Sequence, residues 1–170
     1  MVWWLEAKGK GYVNEMSNNY GGDEMSLEGF EQLKLENQLC FPLYAAAKEV
    51  VRKYKPYLDQ LDLTYTQYIT MMVLWEKENL NVKELGSMLY LDSGTLTPLL
   101  KKLEAKGYIT RRRCKEDERN LIICITEKGE ALKEKAAEIP QAMTEKWLNL
   151  SKEEIHSMYH SLYKLLTLVN

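Results

Sequence analysis

The segment from Leu99 to Lys115 concentrates positive charge on a chain that is otherwise acidic. It holds seven lysine or arginine residues and one acidic residue, Glu104, for a charge of +6. Since the whole chain has a formal net charge of −2, the remainder sums to −8. So uneven a distribution is typical of a local binding surface for a polyanion, and it favours nucleic acid as the ligand.

The residues just before this segment add the small hydroxyl side chains that suit a DNA-reading helix. The sequence LYLDSGTLTPLLKKLE predicts a helix capped by Asp92 or Ser93, with leucines along one face and two lysines on the other. Small residues at such a start let the backbone approach base edges, and a helix N-terminus attracts phosphate. The arginines that follow suit the DNA backbone or a minor groove. The candidate DNA-binding residues are Asp92, Ser93, Gly94, Thr95, Thr97, Lys101, Lys102, Arg111, Arg113 and Arg119, with Arg112 beside them.

The surrounding pattern predicts a helical body that carries one β-hairpin. Two short helices with a tight link, followed by a basic hairpin, give the order of a winged helix-turn-helix. Pro98 lies inside the second of these helices and should bend its first turns. The predicted elements are helices from Leu33 to about Leu58, from Thr64 or Thr66 to Trp75, from Val82 to Leu89 and from Asp92 or Ser93 to Gly107; strands from Tyr108 to Arg113 and from Leu121 to Ile125, joined by the turn KEDERN; a helix from Thr126 that either breaks near Pro140 or continues, kinked, through Trp147; and a last helix opened by a capping box of Ser151 and Glu154.

The terminal helices are more apolar than one small core needs, which predicts a homodimer. The last helix carries an apolar stripe made of Ile155, Met158, Tyr159, Leu162, Leu165, Leu166 and Val169. A two-fold pair of winged helices spans two half-sites about one helical turn apart, whereas a single one buries too little surface for specific affinity. We therefore expect a mainly α (α+β) fold, a winged helix-turn-helix with long N- and C-terminal dimerisation helices. The predicted domain covers residues 31–170, with a DNA-binding core at about 64–126 and dimerisation helices at about 33–58 and 127–169.

Cys40 is the candidate redox centre, and the residues around it carry a family resemblance. The stretches LENQLCFPLYAAAKEVVRKYKPYLDQLDLTYTQY and LYLDSGTLTPLLKKLEAKGYITRRRCKEDER, with ITEKG after the hairpin, resemble the MarR family, and most closely its branch that senses organic hydroperoxides. The resemblance implies a dimeric repressor of a peroxide-detoxification gene, bound to a palindromic double-stranded operator. It also implies that oxidation of Cys40 releases the DNA, and that Tyr54 and Tyr65 hydrogen-bond the sulfur across the dimer.

A redox-sensing thiol at Cys40 requires particular surroundings. Oxidation requires a reachable thiolate, so hydrogen-bond donors or a positive dipole must lie near the sulfur. Pro42 leaves two alternatives: it lies in the first turn and puts Cys40 at a helix N-terminus that favours the thiolate, or it kinks a helix that began earlier. The stretch PQAMTEKW has no second, resolving cysteine, which favours capping of the sulfenic acid by a low-molecular-weight thiol. For Cys114 and Cys124, on the two hairpin strands, we expect packing or, as an alternative, a redox switch of the wing.

Other classes of protein fit these residues less well. A thiol peroxidase needs an activating Arg or Thr beside its cysteine, and QLCFPLY offers none. A zinc site built from Cys114, Cys124, His156 and His160 matches no common spacing. We therefore predict a regulator without enzymatic activity, cofactor or metal; the alternative within the family is response to a small phenolic ligand. No apolar run is long enough to cross a membrane and no signal peptide is evident, so we expect a protein that does not bind membranes. Three cysteines are an odd number without the pattern of a disulfide framework, which favours a reducing cytoplasm.

The first 30 residues are rich in Gly and Asn and have no periodicity, so we expect a leader or a disordered extension there. The run GGDEM, Gly21 to Met25, could be encoded by codons that read as a bacterial ribosome-binding site before a start codon. This coincidence predicts translation from Met25, which would make residues 1–24 leader sequence.

Overall fold

The computed structural model describes residues 30–77, 80–113, 121–147 and 150–169, with side chains in the third range described as far as residue 144. The fold is mainly helical with one small antiparallel sheet, which confirms the predicted fold class. The chain divides into two units, Met1–Val50 and Val51–Asn170. The expected leader, the KEDERN turn, Cys114 and Arg119 lie outside the described residues.

In the first unit, two short 3-10 turns precede the first long helix. The turns are Glu31–Leu33 and Leu35–Asn37, and helix α1 covers Cys40–Leu58, continuing into the second unit. The prediction that this helix begins at Leu33 is therefore wrong. Proline has no N–H, and in a helix its ring clashes with the carbonyl four residues earlier. Gln38, four residues before Pro42, is accordingly extended, and the proline falls in the first turn of α1.

The second and third helices form the beginning of the helix-turn-helix. Helix α2 covers Tyr65–Glu76 and helix α3 covers Val82–Leu89. Thr64, one of the two predicted N-terminal residues, caps α2 in a box with Gln67, and Asn81 caps α3 in the same way. A Cβ on Gly86 would lie 2.7 Å from the Leu91 carbonyl oxygen, so the turn after α3 packs too closely for any larger residue there.

Helix α4 covers Ser93–Ala105 and follows the predicted pattern closely. Its leucine stripe is buried, and Gly107 ends the segment with a φ of +75°. The helix runs without interruption past Pro98. The buried leucines are Leu96, Leu99, Leu100 and Leu103.

The hairpin forms as predicted and gains a third strand. Strands β2 (Ile109–Arg113) and β3 (Leu121–Ile125) are antiparallel, with Arg113 opposite Leu121. The additional strand β1 (Leu80–Asn81) pairs with the other edge of β3, giving the order β1-β3-β2. A two-residue strand has no periodicity of its own, so the sequence offers no sign of it.

The predicted helix from Thr126 is divided into two. Helix α5 covers Glu127–Glu130 and helix α6 covers Leu132–Trp147, so the break lies at Ala131 and the chain stays helical through Pro140. Close to this break, the Gly129 carbonyl accepts the Trp75 indole N–H at 3.1 Å, which ties the end of α2 to α5. Helix α7 (Lys152–Val169) begins after the predicted capping box of Ser151 and Glu154.

The core of the second unit lies among α2, α3, α4 and the sheet. It is made of large apolar side chains contributed by the helix stripes and by the inward positions of β2 and β3. Helix α7, in contrast, has no buried residue. The fully buried apolar residues of the core include Met71, Leu85, Leu96, Leu100, Leu103, Ile109 and Ile123.

Candidate nucleic-acid interface and sensor cysteine

The start of α4 is an exposed surface of small residues organised by Asp92. The Asp92 carboxylate accepts the Thr95 backbone N–H at 2.9 Å and the Thr95 hydroxyl at 2.8 Å. These hydrogen bonds, the backbone one first, hold the pKa of Asp92 below its usual range. Asp92 is thus fixed as an ionised helix cap, and Ser93 and Gly94 follow it on the exposed surface.

The threonine hydroxyls of this helix start are held by the protein itself. The Thr97 hydroxyl donates to the Ser93 carbonyl at 2.7 Å, and the Thr95 hydroxyl is held by Asp92. Each hydroxyl oxygen can still accept a hydrogen bond from a ligand. A Cβ on Gly94 would meet only the Asp92 carboxylate, at 2.9 Å. Because Gly94 has no side chain, a planar ligand can approach the backbone closely at the start of α4.

The exposed face of α4 carries the predicted cations. Lys101 and Lys102 are exposed while the leucine stripe is buried. This confirms the prediction that the lysines lie on the helix face opposite the leucines. Two further cations of the basic segment, Lys106 and Arg111, are engaged by carboxylates. Lys106 forms an ion pair with Asp62 at 3.0 Å and also donates to the Asp62 backbone carbonyl.

On β2, the basic side chains divide between two environments. Arg112 and Arg113 are exposed, whereas Arg111 is half-buried against Glu104 near the end of α4. Its Nε lies 2.9 Å and its Nη2 2.5 Å from the same Glu104 oxygen, Oε2. Of the arginines predicted to meet DNA, the structure therefore presents Arg113 to solvent and holds Arg111 in an internal ion pair.

A cleft beside the helix start brings in residues that sequence reasoning missed. It has a volume of about 330 Å³ and lies between α3, the start of α4 and β3, where Lys83 and Ser87 lie on the same rim as Ser93. Tyr90, in the turn before α4, has a φ of +54° and is exposed. The sequence alone assigns no role to Lys83 or Ser87, because their position beside Ser93 depends on the turn between α3 and α4.

Cys40 is the first residue of α1 and is exposed. Of the two alternatives that Pro42 left open, the first is confirmed, because the proline lies in the first turn of this helix. An exposed thiol at the first position of a helix can be reached by a small oxidant.

Tyr54 and Tyr65 lie together in the second unit. Their ring centroids are 5.0 Å apart in an edge-to-face arrangement, and Tyr68 lies 6.1 Å from Tyr54. Burial raises the pKa of Tyr54 and of Tyr65, and it raises the pKa of Tyr68 to about 12. All three phenols therefore stay protonated at physiological pH and remain able to donate a hydrogen bond.

A winged helix with a small-residue helix start, exposed lysines and a basic strand defines a DNA-binding protein. The known protein family described as transcriptional regulator SarA/Rot matches residues 52–139. The organic hydroperoxide resistance transcriptional regulator of Bacillus subtilis (strain 168) is 52% identical over 140 residues, covering 81% of this chain and 92% of that protein. The HTH-type transcriptional regulator SarZ of Staphylococcus aureus (strain USA300) is 48% identical over 132 residues, covering 78% and 88%.

Solved structures of AbfR, a protein of Staphylococcus epidermidis, are also similar. Reduced AbfR bound to DNA has a TM-score of 0.69 at 33% identity, covering 83% of this chain and 98% of that chain. Overoxidised AbfR bound to DNA has a TM-score of 0.69, and disulfide-formed AbfR one of 0.58. The chain belongs to the MarR family of winged-helix transcriptional regulators, in the group that includes these proteins. It is a DNA-binding transcriptional regulator.

Two negative findings concern the described residues. No helix among them combines the length and the apolar character that crossing a membrane requires. In the same part of the chain, no three His, Cys, Asp or Glu side chains are gathered where they could hold a metal ion.

Proposed function

We propose that this regulator is a homodimeric repressor that senses organic hydroperoxides through oxidation of Cys40 and then releases its operator. The observation that carries this proposal is the 52% identity, over most of both chains, with the organic hydroperoxide resistance regulator of Bacillus subtilis. The exposed position of Cys40 at the start of α1 supports it, because a peroxide can reach the sulfur there.

Operator binding is assigned to the start of α4 and to the wing. In this proposal Ser93, Gly94 and the threonines approach base edges in the major groove, while Lys101 and Lys102 contact phosphates. Arg113 and Arg119 extend the contact along the backbone or into a minor groove. Lys83 and Ser87, across the cleft from Ser93, are further candidates for phosphate contact. The target is a palindromic duplex, since two copies related by a two-fold axis present the same helix twice.

Dimerisation is supported by the apolar surface that α1 and α7 expose. Large apolar residues exposed close together on a helix are typical of a partner interface. On α7 the exposed apolar residues are neighbours in sequence of two exposed tyrosines, Tyr159 and Tyr163, whose ring centroids are 4.6 Å apart. Exposed large apolar residues of these helices are Phe41, Leu43, Tyr44, Val50, Val51, Met158, Leu162, Leu168 and Val169.

The sensing reaction is an oxidation of one thiol by the peroxide, followed by condensation with a second thiol. The Cys40 thiolate attacks the outer peroxide oxygen of ROOH; an S–O bond forms, the O–O bond breaks, and with one proton the products are Cys40–SOH and the alcohol ROH. A low-molecular-weight thiol then attacks the sulfenic sulfur, giving a mixed disulfide and water. In the dimer, the hydroxyl groups of Tyr54 and Tyr65 donate hydrogen bonds to the sulfur of the other copy.

The single-cysteine route is favoured over an intramolecular disulfide. Cys124 lies in β3, within the sheet and half-buried, which fits a packing role.

The enlarged, polar adduct on Cys40 would disturb the packed dimer interface and change the spacing of the two α4 helices.

Mass spectrometry of the intact protein tests this chemistry. After one equivalent of cumene hydroperoxide in the presence of free cysteine, we expect a single cysteine adduct, mapped to Cys40 by peptide digestion. The Cys124→Ser variant, the matched control, should form the same adduct. An adduct that persists in Cys40→Ser, or the absence of any adduct on the wild type, would reject Cys40 as the sensor.

A regulator of the same family that responds to a small phenolic ligand is the second candidate. A cavity of about 280 Å³ between α2 and α6 favours it, since its wall is largely apolar and includes Tyr68, Met72 and Trp75. Operator release by a phenol such as salicylate, with no response to peroxide, would support this alternative over the first.

A further inference from the structure

We infer that Glu104 is a positioning residue for DNA reading, which holds the wing strand against α4 through Arg111, and that Arg111 serves this brace instead of a DNA phosphate. The inference rests on the proposed assignment of operator binding to α4 and the wing. It concerns two residues that lie seven positions apart, on opposite sides of the turn at Gly107.

The geometry places three N–H groups on one carboxylate. Glu104 Oε2 accepts from Arg111 Nε at 2.9 Å and from Nη2 at 2.5 Å, while Oε1 accepts the Arg111 backbone N–H at 3.1 Å. The backbone contact fixes the strand itself, and the guanidinium contacts fix its side chain. One carboxylate thus joins the last turn of α4 to the middle of β2.

The surroundings of the pair limit its freedom. The side chains of Arg111 and Glu104 are 20% and 36% exposed, and Arg111 lies opposite Ile123, which is completely buried. The hydrogen bonds from Arg111 also lower the pKa of Glu104, so the carboxylate stays ionised throughout the physiological range. Pairing of this kind orients the strand more than it stabilises the fold, since partly exposed ion pairs contribute little free energy.

The position of Glu104 within the sequence adds an independent argument. It is the one acidic residue in the segment Leu99–Lys115, where seven cations are gathered. An acidic residue at a DNA-binding surface repels phosphate and by itself weakens binding. A carboxylate in this segment therefore needs a compensating role, and the brace to Arg111 supplies one.

The two possible roles of Arg111 predict opposite results for Glu104→Gln. If Arg111 contacts phosphate, the neutral glutamine releases it and removes a repulsive charge, so DNA binding tightens. If the pair positions the wing, the loss of the ionic brace weakens operator binding, by about threefold to fivefold for an ion pair of this exposure. We expect the weaker binding.

Fluorescence anisotropy with a labelled duplex, selected by the wild-type protein from a random-sequence pool, measures this effect. Wild type, Glu104→Gln, Arg111→Met and the double variant are compared on the selected duplex and on a scrambled one. We expect each single variant to bind the selected duplex more weakly, to a similar extent. The double variant should bind no more weakly than either single one, because both substitutions remove the same interaction. The affinity of the variants for the scrambled duplex should stay within about twofold of the wild-type value, whereas loss of a phosphate contact would weaken binding to both duplexes alike.

Asp62→Asn is the matched control, because it also removes a carboxylate paired with a cation of the basic segment, Lys106. Its binding should be unchanged or slightly tighter, and thermal unfolding should confirm that every variant is folded. Tighter DNA binding by Glu104→Gln, or an equal loss of affinity for both duplexes in Arg111→Met, would overturn the proposed positioning role of the pair. If the wild type selects no duplex at all, the proposed function fails, and the brace fails with it.

Discussion

Replacing Gly129 with alanine should destabilise the folded protein by about 2–3 kcal/mol, the cost of forcing a methyl group into a closely packed backbone junction. A Cβ on Gly129 would overlap the Tyr108 carbonyl oxygen and lie 2.9 Å from Ile125 Cγ1. The Gly129 N–H also donates to the Thr126 hydroxyl at 3.0 Å, so the residue cannot move away freely. This junction joins the end of the wing to α5, and its loss should lower the urea midpoint at a fixed protein concentration.

Gly94→Ala provides the matched control for this substitution. Its new Cβ would meet only Asp92 Oδ1, at 2.9 Å, so the capping carboxylate has to shift slightly to admit it. Alanine is more favourable than glycine in a helix by about 1 kcal/mol, which offsets this shift, so Gly94→Ala should change stability by less than about 1 kcal/mol. Equal unfolding midpoints for Gly129→Ala and wild type would contradict the close packing at Tyr108.

Leu162→Asp should convert the proposed dimer to monomers. Leu162 lies in the middle of the exposed apolar part of α7, and a two-fold interface would bury the new carboxylate twice without a partner. Each buried, unpaired charge costs about 3–5 kcal/mol, which is enough to dissociate a dimer at micromolar concentration. Sedimentation equilibrium on the wild type and the variant measures the change directly.

Ser161→Asp places the same charge one residue away, on a different side of α7. Ser161 is exposed and its hydroxyl donates only to the Ser157 carbonyl among the contacts described for it. This control should remain dimeric. A dimeric Leu162→Asp variant, or a monomeric wild type, would contradict the assignment of α7 to the interface.

The elements that the sequence predicted well are those in which apolar spacing and end signals agree. In α4, the leucines at i, i+3, i+4 and i+7 follow a capping Asp92 and precede Gly107, and the structure buries the leucines as expected. Strand β3 was placed correctly at Leu121–Ile125, because a β-branched run there ends at the capping Thr126. Local signals suffice where the chain close by determines the conformation.

The start of α1 was misjudged because apolar spacing was weighted above proline chemistry. Leu35 and Leu39 recur at the i, i+4 spacing of a helix, but both are more than half exposed and cover no core. Pro42 decides the start of the helix through its missing N–H and the space its ring requires.

The parts of the candidate site that the sequence could not predict depend on contacts between elements. Glu104 with Arg111, and Lys106 with Asp62, pair residues from different elements, and only the fold brings them together. The number of cations of the basic segment that are available to contact DNA was therefore overestimated from the sequence. The neighbourhood of Lys83, Ser87 and Ser93 likewise arises from the close turn at Gly86.

Operator binding measured before and after peroxide tests the central claim most directly. Wild type and Cys40→Ser are bound to the selected duplex and treated with one equivalent of cumene hydroperoxide in the presence of free cysteine. We predict that the wild type releases the duplex, that Cys40→Ser stays bound, and that a reducing agent restores wild-type binding. Retention of the duplex by both proteins, or release by both, would contradict sensing through Cys40.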